Sequence, residues 1–178
     1  MKQETRQGLV QIYTGNGKGK STAAFGLALR AAGCGMHTAI VQFMKKGEWY
    51  GEISAFARLP EVAVYSFGSD KFLKKGTPPD VENLALAAAA MEKARELMAD
   101  PDVDILILDE LSNAVYFDLV SEADALALIA ARPKTQELVI TGRNATPAMI
   151  EAADLVTEMR EIRHPYQKGI QARKGIEF

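Results

Sequence analysis

The sequence predicts a three-layer α/β domain with a mostly parallel central sheet and helices on both faces. Two observations support this prediction: short β-rich runs alternate with longer segments rich in alanine and leucine, and the run 105–108 is wholly apolar. A continuously apolar strand is typical of a parallel sheet that is covered on both faces. Strands that alternate with helices imply right-handed crossovers within one sheet. The 178 residues, 48% of them hydrophobic, fit a single domain spanning 1–178.

The predicted elements alternate along the chain. A short apolar run and a glycine-rich turn precede an alanine-rich segment that stops at Gly33, which indicates strand, loop and helix. Ser121 and Thr146-Pro147 are typical helix starts. Strands are predicted at 8–13, 37–43, 62–67, 105–108, 138–141 and 155–159, and helices at 21–32, at 79–98, from Ser121 to about 131, and from Thr146 onward. Segments 45–51 and 68–79 are predicted as loops at the ligand-binding edge of the sheet, and the tail 164–178 as a closing flap.

Charge and cysteine content exclude several classes of protein. Charged residues make up 25% of the chain but nearly cancel, leaving a formal net charge of -2, so no nucleic-acid partner is expected. The single cysteine, Cys34, cannot form an intramolecular disulfide and is expected to be packed. No apolar run approaches the ~20 residues that span a bilayer, and the opening segment lacks the apolar core of a signal peptide. We therefore expect a cytoplasmic protein that does not associate with a membrane.

Residues 14–21, Thr-Gly-Asn-Gly-Lys-Gly-Lys-Ser, indicate a phosphate loop. The usual pattern is G-x-x-x-x-G-K-S/T; Gly19, Lys20 and Ser21 match its last three positions, whereas Thr14 occupies the first. The loop lies between a predicted strand and a predicted helix, whose N-terminus attracts anions. The alternative is a flexible glycine turn with two surface lysines. The context favours a site for a nucleoside triphosphate, ATP with Mg²⁺, in a phosphate-loop NTPase (RecA-like) architecture.

Two further strand ends carry charged side chains. Asp109 and Glu110 end the apolar strand, the position from which a carboxylate reaches Mg²⁺ in phosphate-loop proteins; the alternative is a solvated turn. Arg143 follows the next strand on the same edge of the sheet, where it either meets phosphate or substrate anions or is a surface residue. Hydrolysis needs a positioned water and phosphoryl transfer needs an acceptor hydroxyl, and neither can be read from residue spacing. These residues therefore predict an ATP site without choosing a reaction.

Five segments in a fixed order point to a known family. They are 13–26 with the threonine-led loop, 41–45 followed by Gly51-Glu52, 106–111, 140–143, and the ending 168–178. Together they resemble the cob(I)alamin adenosyltransferases of the corrinoid type, the family with a phosphate-loop fold. The resemblance covers nearly the whole chain. The loop of that family is likewise led by threonine, so Thr14 fits the pattern.

The resemblance implies transfer of the 5′-deoxyadenosyl group of ATP to the cobalt(I) of a reduced corrinoid. The cobalt attacks the 5′-carbon and triphosphate leaves, so the phosphate loop would hold the leaving group. Lys20 and Glu110 are the implied catalytic residues. The implied ATP-binding residues are Thr14, Gly15, Asn16, Gly17, Lys18, Gly19, Lys20, Ser21, Thr22 and Arg143. Ser21, Asp109 and Glu110 would bind the metal, Mg²⁺ with Mn²⁺ as the alternative ion.

Corrinoid binding is implied for Glu52, Phe72 and Arg160. The family places aromatic residues near the lower face of the corrin ring, and here Phe72 stands for the family's tryptophan, whereas Asp70 stands where a phenylalanine is expected. The corrinoid is cob(I)alamin or a cobinamide- or cobyrinate-type compound, and a flavin-type reductant and a homodimer are further implications. The alternatives are a phosphate-loop ATPase or nucleoside kinase, and a nucleotide-binding regulator or corrinoid carrier without turnover.

Overall fold

Strands and helices alternate along the chain in the computed structural model, which describes residues 7–46, 50–71 and 73–177. The strands are β1 (Val10–Thr14), β2 (Thr38–Phe43), β3 (Val62–Phe67), β4 (Ile105–Asp109), β5 (Glu137–Thr141) and β6 (Leu155–Glu158). The helices are α1 (Lys20–Ala32), α2 (Gly51–Phe56), α3 (Val81–Ala99), α4 (Leu111–Tyr116), α5 (Glu122–Ala131) and α6 (Pro147–Glu151), and a 3₁₀ turn covers Pro165–Lys168. Every strand and helix predicted from the sequence is therefore present.

The strands form one parallel sheet in the order β3-β2-β4-β5-β1-β6. Strand β5 lies between β1 and β4, with Tyr13 opposite Thr141 and Leu108 opposite Ile140. The carboxyl ends of these three strands therefore meet at one edge of the sheet. This arrangement confirms the predicted three-layer α/β fold.

Helices cover both faces of the sheet because its central strands are apolar on both sides. On one face, Ile40, Ile107 and Val139 pack with buried residues of α1 and with Phe56 of α2. On the other, Leu108 and Ile140 belong to a larger cluster that includes buried residues of α3, α4, α5 and α6. Burial of each such Leu, Ile or Phe side chain stabilises the fold by roughly 1.5–3 kcal/mol.

Three short elements were not predicted, and the bounds of the predicted ones shift by one or two residues. Helix α2 lies just past the predicted loop 45–51, α4 directly follows Glu110, and the 3₁₀ turn lies within the predicted flap. Each is four to six residues long, which is too short for hydrophobic periodicity to reveal. Helix α3 begins at Val81 instead of Pro79, because the side chain of Asp80 caps it by accepting a hydrogen bond from the Asn83 N–H.

The prediction that Cys34 is packed is wrong. Cys34 is exposed in the turn that follows α1, where its N–H donates to the Ala31 carbonyl. Helix α1 has already ended at Ala32, so Cys34 lies beyond its buried face and is exposed to solvent. Among the helices of the described residues, none combines the length and the apolar character needed to cross a membrane.

Candidate active site

The carboxyl ends of four neighbouring strands place polar side chains together at one edge of the sheet. The phosphate loop follows β1, while Asp109 and Thr141 are the last residues of β4 and β5. Gln42 of β2 lies opposite Asp109 in the strand register. In open parallel sheets this edge is where ligands bind. The candidate site is therefore built on rigid strand ends, with the loop and α1 closing it.

Asp109 is the most buried charged group of this edge, with none of its surface exposed. One oxygen, Oδ1, accepts hydrogen bonds from the Ser21 and Thr141 hydroxyls, each 2.7 Å long. The other, Oδ2, accepts from Gln42 Nε2 at 3.2 Å and from Lys45 Nζ at 2.6 Å. Burial alone would raise the pKa of Asp109, but the Lys45 charge and these hydrogen bonds outweigh it and lower the pKa. Asp109 is thus held as a carboxylate.

Glu110 directly follows Asp109 but has a different environment. Its backbone adopts a left-handed conformation, with φ of 67°, and its N–H donates to Thr141 Oγ1 at 2.9 Å. Asn113 Nδ2 donates to its carboxylate at 2.6 Å. Burial raises the pKa of Glu110; the charge of Lys45 opposes this shift, and the charge of Asp109 adds to it. The two adjacent acids therefore have pKa values shifted in opposite directions, as is common where carboxylates have separate roles.

Lys20, the invariant position of the phosphate-loop pattern, is 6% exposed and folds back over its own loop. Its ammonium donates to the Gly15 and Gly17 carbonyl oxygens, both at 2.7 Å. Burial lowers the pKa of Lys20; the charge of Glu110 opposes the shift, and that of Arg143 adds to it. The loop is thus pre-shaped around this cation.

The loop glycines pack against the end of β6, which is a constraint that the pattern did not reveal. A Cβ atom at Gly17 would lie 2.8 Å from the backbone of Met159 and Arg160, and one at Gly15 would lie 2.5 Å from the Met159 carbonyl oxygen. The Gly17 N–H donates to that oxygen at 2.6 Å, and the Gly15 N–H to the Arg143 carbonyl at 3.4 Å. These two amides therefore have partners within the protein.

Lys45 was absent from the predicted site, yet it lies at the centre of the site. Its ammonium is 2.6 Å from Asp109 Oδ2 and 3.2 Å from Ser21 Oγ, and its side chain is only 14% exposed. Burial alone would lower the pKa of Lys45, but the charges of Asp109 and Glu110 raise it. Lys45 therefore stays charged beside Ser21 and Asp109, two of the three residues predicted to bind a metal.

A cavity of about 860 Å³ opens next to these groups. Its polar lining includes loop residues together with Glu110 and Arg143, and its apolar lining includes Phe25 and Leu29 of α1 and Phe56 of α2. Ten of the predicted site residues line it: Asn16, Gly17, Lys18, Gly19, Lys20, Ser21, Thr22, Glu52, Glu110 and Arg143. The volume is in the range typical of small-molecule sites.

Four other predicted site residues lie outside the cavity lining, and a fifth is not among the described residues. Asp109 is beneath the cavity, and Gly15 packs on the end of β6. Thr14 is buried and joins β1 to the loop after β5, because its hydroxyl donates to the Arg143 carbonyl at 3.0 Å. Arg160 is exposed beside Gly17 and is not part of the cavity wall. Phe72 lies outside the described residues.

The C-terminal tail contributes part of the cavity wall. His164, Gly175, Ile176 and Glu177 line the cavity. Lys18 Nζ donates to the Ile176 carbonyl oxygen and to the Glu177 carboxylate, both at 3.0 Å. Glu177 also pairs with Arg173 at 3.1 Å, and the hydrogen bonds from Arg173 and Lys18 lower its pKa to about 2. The tail thus lies against the phosphate loop, as a closing flap would.

The side chains of the site are better suited to a Mg²⁺ ion that is also bound by a nucleotide than to an ion held by protein ligands alone. Within the described residues there is no group of three or more His, Cys, Asp or Glu side chains placed to hold a metal ion. Mg²⁺ commonly binds through one or two carboxylates and the phosphates of a substrate. Ser21 Oγ and Asp109 already share a cation, the Lys45 ammonium, so these oxygens suit a positive charge.

Sequence reasoning missed Thr141, Gln42 and Lys45 as site residues. Thr141 lies directly before Gly142-Arg143, and Gln42 and Lys45 belong to the segment 41–45 that entered the family resemblance. A search at the ends of all predicted parallel strands could have found them, because those ends share one edge of the sheet.

Comparison with known proteins finds similar proteins over nearly the whole chain. The family model of the ATP:corrinoid adenosyltransferases BtuR, CobO and CobP matches residues 6–178. The corrinoid adenosyltransferase of Pseudomonas aeruginosa is 44% identical over 172 residues, which are 97% of this chain and 84% of that protein. Corrinoid adenosyltransferase CobA of Salmonella typhimurium is 34% identical over 176 residues, with coverage of 98% and 88%.

A solved structure of EssC (ATPases 2 and 3) from Geobacillus thermodenitrificans has a TM-score of 0.50 at 15% identity. The match covers 94% of this chain and 35% of that one, and it shows the fold alone. The family match and the relatives confirm the resemblance inferred from the sequence segments. This chain belongs to the ATP:corrinoid adenosyltransferase family.

Proposed function

We propose that this protein transfers the 5′-deoxyadenosyl group of ATP to the cobalt(I) of a reduced corrinoid and releases triphosphate. The observation that supports this most directly is the cavity beside the phosphate loop, which is lined by both cationic and apolar side chains. A triphosphate suits the cationic side chains, and a nucleoside and a corrin ring suit the apolar ones. Membership of the family supplies the chemical identity of the two substrates.

The reaction requires little covalent chemistry from the protein itself. The cobalt(I) electron pair forms a bond to the 5′-carbon, the bond from that carbon to its oxygen breaks, and its electrons leave on the triphosphate. The protein therefore has two tasks, to align the carbon with the cobalt and to stabilise charge on the departing triphosphate. Lys20 and the N-terminus of α1 lie where they can serve the second task.

Arg143 and Lys18 line the same cavity as Lys20. We assign Lys18, Thr22 and Arg143 to phosphate binding. Lys18 must then exchange its contact with Glu177 for the substrate. Thr14 and Gly15 act instead through the shape of the loop, since Thr14 joins two strand ends and Gly15 packs on Met159.

Mg²⁺, with Mn²⁺ as an alternative, fits the oxygens of Ser21, Asp109 and Glu110. When bound, the ion would neutralise charge on the triphosphate. Asp109 is oriented for this role by Thr141 and Gln42, and Ser21 is oriented by its hydrogen bond to Asp109. Glu110 faces the cavity from the neighbouring position, and its raised pKa leaves it easier to protonate than Asp109.

Corrinoid contacts are assigned to Glu52, which lines the cavity from the first turn of α2, and to Phe72 and Arg160 on the basis of the family pattern. Asp70, which stands where that pattern expects a phenylalanine, is exposed and forms an ion pair of 2.6 Å with Lys46. An ion pair at this place favours contact with polar corrinoid side chains over stacking on the ring.

A flavin-type reductant, a homodimer and a cytoplasmic location belong to the same proposal. The exposed edge strand β6 presents Leu155 and Val156, 41% and 40% exposed, which a second copy could cover. Sedimentation velocity of the purified protein would measure the oligomeric state. A monomer at every concentration would refute the homodimer.

The direct test is an anaerobic assay with MgATP and either cob(I)alamin or reduced cobinamide. The expected products are the adenosylated corrinoid and inorganic triphosphate in equal amounts. Release of ADP and phosphate without any corrinoid would indicate an ATPase instead. Binding of both substrates without turnover would indicate a regulator or carrier.

A further inference from the structure

The Lys45 ammonium occupies the position between the two oxygens that are best placed to bind a metal. It lies 2.6 Å from Asp109 Oδ2 and 3.2 Å from Ser21 Oγ, and Ser21 Oγ itself donates to Asp109 Oδ1 at 2.7 Å. The two side chains in this ion pair are almost closed to solvent, with exposures of 14% for Lys45 and 0% for Asp109. Three side chains therefore form one buried, charge-balanced unit.

Such a unit has a physical reason. A buried carboxylate is costly unless a positive charge and hydrogen bonds compensate it. Thr141, Gln42 and Ser21 supply neutral hydrogen bonds to Asp109, and Lys45 supplies the only positive charge among the hydrogen-bond partners described for it. A divalent cation on the same oxygens would supply that charge instead. The ammonium and the metal ion would then repel each other at close range.

We propose that Lys45 is an internal counter-ion that competes with the divalent cation for Asp109 and Ser21, so that the metal ion binds well only together with a polyphosphate. This inference rests on the proposed function, because it assumes that a metal–triphosphate complex binds at this edge. Lys45 is a positioning residue in this scheme. It keeps the metal ligands in place and leaves them when the complex arrives.

The surroundings of Lys45 offer the displaced ammonium a second position. Lys45 lines the cavity, and its Nζ lies 5.8 Å from the centre of the Phe25 ring and 5.5 Å from that of the Tyr50 ring. Both rings line the cavity as well. Aromatic faces attract a cation, and a triphosphate bound in the cavity would attract it further. The polyphosphate therefore supplies the negative charge that the Lys45 ammonium loses when it leaves Asp109.

Binding of Mn²⁺, measured by electron paramagnetic resonance without ATP or corrinoid, tests the proposal. The wild-type protein should bind Mn²⁺ weakly alone and much more tightly when inorganic tripolyphosphate is present. Lys45→Met should bind Mn²⁺ alone tighter than the wild type by about tenfold or more, a coupling of ordinary size between two sites. Lys45→Arg keeps the charge and should resemble the wild type. Lys46→Met, which removes the neighbouring exposed lysine and the same charge, is the matched control.

Equal or weaker Mn²⁺ binding by Lys45→Met would overturn the proposal. If that variant is too unstable to titrate, its thermal unfolding decides: Mn²⁺ alone should raise its Tm by more than it raises the wild-type Tm. An equal or smaller rise would overturn the proposal. If the protein transfers the adenosyl group but Lys45 does not compete with Mn²⁺, only the proposed role of Lys45 is refuted. If Lys45 competes with Mn²⁺ but no adenosyl group is transferred, only the proposed reaction is refuted.

Discussion

The hydroxyl of Thr141 donates a 2.7 Å hydrogen bond to the carboxylate of Asp109. The same hydroxyl oxygen accepts the N–H of Glu110 at 2.9 Å, so one side chain of β5 fixes both acids that end β4. Thr141 is fully buried. The orientation of the Asp109 carboxylate thus depends on a neighbouring strand.

Thr141→Val keeps the shape of the side chain but removes the hydroxyl. We expect it to destabilise the protein by about 1–3 kcal/mol, because a buried N–H and a buried carboxylate each lose a partner. Affinity for Mn²⁺ in the presence of tripolyphosphate should also fall. Urea unfolding and the Mn²⁺ titration measure the two effects. Thr157→Val, on the exposed strand β6, is the control, and equal effects of both variants would contradict this role of Thr141.

Lys20→Ala should reduce kcat by about 10²–10³ with a smaller change in KM, because its charge is needed most as the triphosphate departs. Steady-state assays of adenosylcorrinoid formation would measure both constants. Lys93→Ala, on α3 and outside the cavity lining, should leave both constants unchanged. An unchanged kcat in Lys20→Ala would show that the triphosphate is stabilised by other groups.

Gly17→Ala should destabilise the protein by more than about 1 kcal/mol, since the new Cβ would lie 2.8 Å from the backbone of Met159 and Arg160. Gly26→Ala is the matched change in α1, where a Cβ meets nothing within 4 Å. It should stabilise the protein by about 0.5–1 kcal/mol, because alanine is the better helix former. Chemical unfolding of both variants would measure the difference. If Gly17→Ala is as stable as the wild type, the backbone at the end of β6 must shift easily to make room for the new Cβ.

The raised pKa of Glu110 predicts that the stability of the folded protein depends on pH. The pKa of Glu110 is higher in the folded protein than its ordinary value of 4.5, so the folded state binds a proton more readily than the unfolded state. The contribution of Glu110 to stability is therefore full below about pH 4.5 and declines as pH rises through the folded pKa. Glu110→Gln does not titrate. Measured in EDTA, its Tm should match the wild type near pH 4 and exceed it increasingly toward neutral pH.

Glu92→Gln, on the exposed side of α3, is the surface control for that experiment. A Glu110→Gln protein that is less stable than the wild type at neutral pH would contradict the expected sign. A Tm difference that does not change with pH would show that Glu110 does not titrate differently in the folded and unfolded states.

Glu177→Gln should weaken the contact of Lys18 with the tail, leaving its hydrogen bond to the Ile176 carbonyl. The KM for ATP should fall by less than about fivefold, because exposed ion pairs are weak. The pKa of Glu177 is lowered to about 2, so its carboxylate keeps its charge across the range in which the enzyme can be assayed. The effect on KM should therefore be constant between pH 6 and pH 8 and shrink with added salt. A raised KM would mean that the tail contact helps nucleotide binding.

The fold class and the phosphate loop were predictable because both depend on local patterns. The apolar run in β4 and the alanine-rich face of α1 indicate a parallel sheet covered by helices, whichever residues they meet. The loop residues from Gly19 to Ser21 follow a strand and begin a helix, which is enough to predict an anion site. The acidic pair at 109–110 was found for the same reason, since its position at a strand end is visible in the sequence.

The tertiary structure decided what each of these residues contacts. Ser21 and Asp109 are 88 residues apart and Lys45 and Asp109 are 64 apart, yet all three meet within hydrogen-bonding distance. Strand order produces these contacts, because β2 and β5 flank β4 at the same edge. The opposite pKa shifts of Asp109 and Glu110 also arise from burial and from distant partners. Sequence by itself determined the kind of site, and long-range packing determined which cation sits on its buried carboxylate.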